Sequence, residues 1–148
     1  MTTAVAGRTA PTTPARSFFT RVLEVSLLLV AVGAVGQVTS AAYGAFSLMQ
    51  GVPVEEGFAA HHLIGYATEI VAVVVVLALI AARPGIRLSL VVLAAFGLLL
   101  LQPVLQRLDS ALLGAVHGLN ALAIIVLCSG AATALRARRR SVAARPVE

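Results

Sequence analysis

Four long apolar runs, roughly Val22 to Leu48, Phe58 to Ala82, Ile86 to Leu108 and Ala111 to Leu135, leave this chain few folds to choose from. Each is near or above the ~20 residues that a membrane-crossing helix needs. With 59% hydrophobic residues, 11% charged residues and a mean hydropathy of +0.99, the chain is too apolar for an ordinary soluble domain. The expected fold is all-α: an integral membrane protein built as an antiparallel bundle of four transmembrane helices. The separators read as turns or helix ends: Gln50-Gly51-Val52-Pro53, Arg83-Pro84-Gly85 and Arg107-Leu108-Asp109-Ser110. Such short connections force neighbouring helices to run antiparallel.

Charge sets the expected direction. Arg8, Arg16 and Arg21 precede the first run, Arg83 and Arg87 flank the second connection, and Arg136, Arg138, Arg139, Arg140 and Arg145 follow the fourth run. The opposite side carries Glu55, Glu56 and Asp109, with Arg107 as its single arginine. By the positive-inside rule both termini are cytoplasmic. All 11 basic residues are arginine, a coding habit of GC-rich bacterial genomes of the actinobacterial kind, which points to a bacterial inner membrane. The net charge of +5 forms no basic patch interleaved with aromatics, so nucleic acid is not an expected partner; the bilayer is. Cys128, the single cysteine, rules out an intramolecular disulfide, a CxxC redox pair and a CxxCH haem attachment site.

Residues 1–16, rich in Thr, Ala and Pro, read as a disordered cytoplasmic tail, 17–138 as the transmembrane domain, and 139–148 as a basic tail. A cleaved signal peptide near Thr39-Ser40-Ala41-Ala42 is the alternative for the first run, although that run continues to Met49, beyond the length of an h-region.

Given this topology, polar residues concentrate in the outer leaflet. Gln37 and Ser40 lie in the first helix, His61, His62, Thr68 and Glu69 in the second, Gln102 and Gln106 in the third, and His117 and Asn120 in the fourth. The inner half offers Cys128, Ser129 and Thr133, small groups that satisfy themselves on backbone carbonyls. A titratable row crossing the whole thickness, as an ion pathway wants, is missing. Glu69, the deepest ionisable group, is expected to face the interior. Gly36, Ser40 and Gly44 repeat at four-residue spacing, and Gly114 and Gly118 bracket His117, patterns that let helices or a flat ligand approach the backbone. Pro103 removes an amide donor beside Gln102 and is expected to kink the third helix.

Only the histidines in this layer have the chemistry to hold a redox cofactor. With neighbouring axes ~8 to 10 Å apart, the second and fourth helices face each other across a diagonal of roughly 12 to 14 Å, a gap that takes a haem with one imidazole on each face. His61 and His117 fall about 12 Å and 10 Å along their helices, which puts them level. Of the vicinal pair, Glu69 shares a face with His62 and favours it as the inward residue. Gly65, four residues past His61, favours His61 by clearing room for a porphyrin edge. The candidate haem ligands are therefore His61 and His117, with His62 as the substitute. Gly65, Gly118 and Asn120 lie around them, and Gln37, Gln102 or a carbonyl near Pro103 would accept from the second ring nitrogen. The competing structural reading is that these histidines are neutral interhelical glue, bonded to Gln37, Gln102, Asn120 or Glu69. Zinc is disfavoured because two histidines and a distant glutamate underfill a tetrahedron.

The segments Gln37 through Gly44, His61-His62-Leu63-Ile64-Gly65-Tyr66, Gln102 and His117-Gly118-Leu119-Asn120-Ala121 resemble the pattern of a family of small actinobacterial membrane proteins of unknown function, over roughly residues 20 to 138. That resemblance matches His61, four residues before a glycine, and His117, three before an asparagine. It implies no activity. A looser analogy is to membrane four-helix b-type haem proteins, including the half-bundles of haem A synthases, which place histidines on the second and fourth helices. The glutamate that the enzyme carries three residues before its second-helix histidine has no counterpart, since Glu56 precedes His61 by five and Glu55 by six. The external cysteine pair is missing too.

The sharpest expectation is a b-type haem carrying electrons in the membrane, with a quinone or a larger respiratory complex as partner. The alternatives are a cofactor-free accessory or assembly subunit, which would use the polar layer to lock helix register, and a small-solute transporter. Each half of the chain has a glutamine in its first helix and a histidine early in its second, a weak internal repeat. The exposed small-residue faces leave room for a homo-oligomer. No nucleophile with an adjacent base, phosphate loop or metalloprotease motif occurs, so enzymatic hydrolysis or phosphoryl transfer is not expected.

Overall fold

A computed structural model describes residues 14–107 and 110–144. In chain order it contains α1 (Pro14–Met49), the single turn α2 (Val54–Gly57), α3 (Ala59–Ala82), α4 (Ile86–Arg107) and α5 (Ala111–Ala143). Four of these helices are long and apolar enough to cross a membrane, and no strand occurs among the described residues. Helices suit such a sequence because each satisfies its backbone donors and acceptors internally. The serine and threonine hydroxyls follow suit: Ser26, Ser40, Ser47, Thr68 and Thr133 each donate to the carbonyl four residues back.

α1 packs along α3 and α5, and α4 packs along α5, while α3 and α4 meet only sparsely. Facing pairs run in opposite chain directions. On α1 and α3, Gly33 meets Thr68, Gly36 meets Ile64, and Gly44 meets Gly57 just before α3; on α4 and α5, Leu98 meets Asn120 and Gln102 meets His117. The first seam is very close. A Cβ added at Gly33 would collide with Thr68 Oγ1, and one at Gly44 would fall 2.9 Å from the Gly57 carbonyl oxygen. Gly36 and Gly44 therefore serve helix packing, as their spacing suggests. Gly114 and Gly118 do not, because a Cβ at either meets nothing within 4 Å.

Two helices exceed the expected spans. α1 begins at Pro14, ahead of Val22, and α5 continues to Ala143, past Leu135, so residues 14–16 and 139–143 are helical instead of belonging to unstructured tails. Residues 1–13 and 145–148, the remainder of those tails, lie outside the described residues, as do Leu108 and Asp109. The extensions persist because their arginines have partners. Arg16 Nε donates to the Ala82 carbonyl at 3.0 Å and its Nη2 to that of Arg83 at 2.7 Å, covering the end of α3. Arg138 Nη1 donates to the Pro84 carbonyl at 2.6 Å. Arg83 itself takes a left-handed φ of 47°, which ends α3 ahead of Pro84 and Gly85.

The expectation that the inner half holds only Cys128, Ser129 and Thr133 omits Glu24. This carboxylate is buried on α1, and its Oε1 accepts from Arg136 Nε at 3.0 Å. Arg139 Nη1 approaches Oε2 at 3.2 Å as an ion pair without hydrogen-bond alignment. Placed one turn from Arg21, Glu24 reads in sequence as part of a solvated boundary. The length of α5 brings two guanidinium groups over it.

The core lies between this ion pair and the polar layer. Leu23, Leu27, Val92, Ile124 and Leu135 are its largest fully buried side chains, interleaved with alanines of α3 and α5 that permit close approach. The opposite faces are apolar as well. On α3, Ile70, Val73, Leu77 and Ile80 form an exposed stripe at alternating three- and four-residue spacing, the surface expected where the solvent is hydrocarbon.

Candidate functional site

Toward the end where α3 and α5 begin, the helices part around a cavity of about 580 Å3, within the usual range for small-molecule and cofactor sites. Eight of the ten expected outer-layer polar residues line it: Gln37 from α1, His61, His62, Thr68 and Glu69 from α3, Gln102 and Gln106 from α4, and His117 from α5. Gly65, Tyr66, Pro103 and Arg107 complete its polar and narrow parts. α4 stays helical through Pro103.

His61 is the inward member of the vicinal pair. It is 7% exposed, whereas His62 lies exposed at the cavity mouth. Glu69, expected to face the interior, is exposed at the mouth as well, because it shares the His62 face of α3. The small residues explain this choice. Gly33 on α1 draws Thr68 inward, and His61 and Thr68 lie on the same face of α3.

Each inward histidine is fixed from the neighbouring helix in the same way. His61 Nδ1 donates to the Gln37 backbone carbonyl at 3.0 Å, and His117 Nδ1 donates to the Gln102 backbone carbonyl at 3.2 Å. A carbonyl oxygen only accepts, so each Nδ1 carries a proton, which in a neutral ring puts the lone pair on Nε2. The Gln37 side chain returns the contact, its Nε2 donating to the His61 carbonyl. Gln102 has no such return, and its buried Oε1 has no partner.

The two imidazoles both line the cavity, with ring centroids 6.3 Å apart and planes inclined at 52°. For two imidazoles bound trans to one metal, a bond of about 2 Å plus roughly 1.1 Å from nitrogen to ring centre on each side gives a separation of about 6.2 Å. With Nδ1 engaged on both rings and the centroids at this spacing, His61 and His117 are the residues that would hold a metal-centred group here, each through Nε2. Among the described residues no group of three or more His, Cys, Asp or Glu side chains converges, so a closed zinc tetrahedron lacks its ligands.

Three expected site residues act differently. Gly65 borders the cavity, and a Cβ there would fall 3.0 Å from Gln37 Nε2, so its missing side chain makes room for the Gln37 amide. Asn120 is buried away from the cavity lining, and its Nδ2 donates to the Leu98 carbonyl at 2.7 Å, tying α5 to α4. Gly118 is exposed and faces open space. Arg107 and Tyr66, absent from the expected set, join the lining through the helical register of Gln106, His62 and Glu69. Compared with known proteins, the chain matches no family model, no curated protein and no solved structure.

Proposed function

We propose that this chain is a multi-pass protein of the bacterial inner membrane, a four-span antiparallel bundle with both ends cytoplasmic, and that it binds one b-type haem between His61 and His117 for electron transfer within the bilayer. The orientation is supported by Arg16, Arg83 and Arg138, which gather at one end of the helices. The haem reading is carried by one observation: two imidazoles 6.3 Å apart, each held through Nδ1 with Nε2 free. A haem bound there would supply a reversible one-electron centre. The Gln37 and Gln102 carbonyls fix ring tautomer and orientation and increase ligand basicity.

The same two bonds favour a second reading, a cofactor-free accessory or assembly subunit, because each imidazole already links two helices. Purification in detergent after haem-replete expression separates the two. The expected result is a Soret band that shifts on dithionite reduction, extractable haem b, and loss of the band in both His61→Ala and His117→Ala. A folded but colourless wild-type protein rejects the haem reading and leaves the accessory one.

A further inference from the structure

The cavity has one open side. α1 closes it against α3 and α5, and α5 closes it against α4, whereas the sparse contact between α3 and α4 leaves a seam. The lining residues at this seam are His62, Tyr66 and Glu69 on α3 and Gln106 and Arg107 on α4, all of them exposed. They interrupt an otherwise apolar surface, since Leu63, Ile70, Leu100 and Leu101 are exposed alongside.

Depth limits what can occupy the seam. Glu69 stands about 15 Å beyond Ala59, near the midpoint of α3, at 1.5 Å per residue. In a hydrocarbon core about 30 Å thick that is the middle of the bilayer. Glu69 forms no ion pair among the described residues, and an unpaired carboxyl group open to lipid is costly. Phospholipid phosphates stay at the interface, and water-soluble solutes do not partition to this depth. A ligand reaching Glu69 through the seam must itself dissolve in hydrocarbon and carry a small, uncharged head able to hydrogen-bond.

The spacing of the polar groups narrows the class. His62, Tyr66 and Glu69 follow one another at about one helical turn, 5.4 Å, the scale of a six-membered ring with oxygens at opposite corners. Glu69 and the His62 imidazole accept hydrogen bonds from ring hydroxyls, while the Tyr66 phenol donates to a ring carbonyl. We infer that the α3–α4 seam is a lateral binding site for a lipid-soluble quinol or quinone, its ring held at the cavity mouth by His62, Tyr66 and Glu69 and its tail left in the bilayer. This deepens the haem reading, which gives docking its purpose, but binding itself does not require the haem.

The test uses full-length protein in phosphatidylcholine nanodiscs and an azido-benzoquinone bearing a decyl tail. The absorption spectrum and the photolabelled peptides are read on the same sample. Saturable labelling of α3 and α4, competed by unlabelled decyl-ubiquinol, is expected. Glu69→Leu, at an exposed position that leaves the core intact, should weaken labelling about tenfold, the loss of one hydrogen bond to the ring. Saturable labelling of a colourless protein supports this site and rejects the haem reading alone. A Soret band with labelling spread evenly over the lipid-facing helices, or unchanged in Glu69→Leu, overturns this site alone. Copy-to-copy disulfide crosslinking of Glu69→Cys also overturns it, because a second chain would then cover the seam.

Discussion

The hairpin of α1 and α3 and the hairpin of α4 and α5 carry the same pair of residues and pack it differently. In the first, His61 is buried, Gln37 and His61 bond in both directions, and Gly33, Gly36 and Gly44 bring the helices into close contact. In the second, His117 is only partly buried, its bond to Gln102 is longer at 3.2 Å, and the Gln102 Oε1 has no partner. Here Gly97, Gly114 and Gly118 face open space. A tight half and a loose half thus present matching imidazoles.

Four substitution experiments sharpen or break this contrast. The largest effect is expected where the two hairpins are joined. Arg136→Ala with Arg139→Ala leaves the Glu24 carboxylate, 6% exposed, without compensation. That should cost about 3 kcal/mol, the low end for a broken buried pair because Arg136 is itself half exposed. Glu24→Gln, which frees the arginines to reach water, should cost under about 1 kcal/mol. Thermal or denaturant unfolding in detergent reads both, and equal costs would mean that the pair is not effectively buried.

Next come the glycines. Gly44→Ala pushes a methyl group to 2.9 Å from the Gly57 carbonyl oxygen and should cost about 1–3 kcal/mol. Gly118→Ala, with nothing nearby, should stay within about 0.5 kcal/mol of wild type. Similar melting shifts for the two would erase the distinction between tight and loose halves. A smaller difference is expected at the glutamines. Gln37→Leu forfeits an interhelical bond and should cost about 0.6–1.7 kcal/mol. Gln102→Leu removes an unpartnered buried acceptor and should be neutral or mildly stabilising. The smallest shift is expected for Asn120→Ala, about 0.6 kcal/mol for its single bond to the Leu98 carbonyl. If that loss exceeded the Gln37 loss, the second hairpin would be the better fastened of the two.

Much of this was legible before any coordinates. Hydrophobic run length located four helices, and the starts of α3, α4 and α5 fall within a residue of the expected positions, because Pro53, the Arg83-Pro84-Gly85 turn and Ser110 punctuate the chain locally. The Gln and His repeat was visible as well, since it is a matter of spacing. Glu24 was not legible as buried, because an acid one turn from Arg21 looks like a boundary residue until α5 is seen to extend over it. Glu69 was misread toward the interior, because an argument from the cost of a buried charge assumes that the bundle closes on every side.

Reading along the chain is enough to tell which segments are helical, which end of the molecule is rich in arginine, and that polar groups share one layer. These follow from composition and period along a single strand of chain. Only the tertiary structure decided that His61 and not His62 turns inward, that two imidazoles stand 6.3 Å apart, and that the α3–α4 seam stays open. The rotation of a helix about its axis is set by the neighbour it packs against, here through Gly33 meeting Thr68 and Gly44 meeting Gly57. A chain that is apolar on nearly every face leaves that rotation unspecified until its partners are in place.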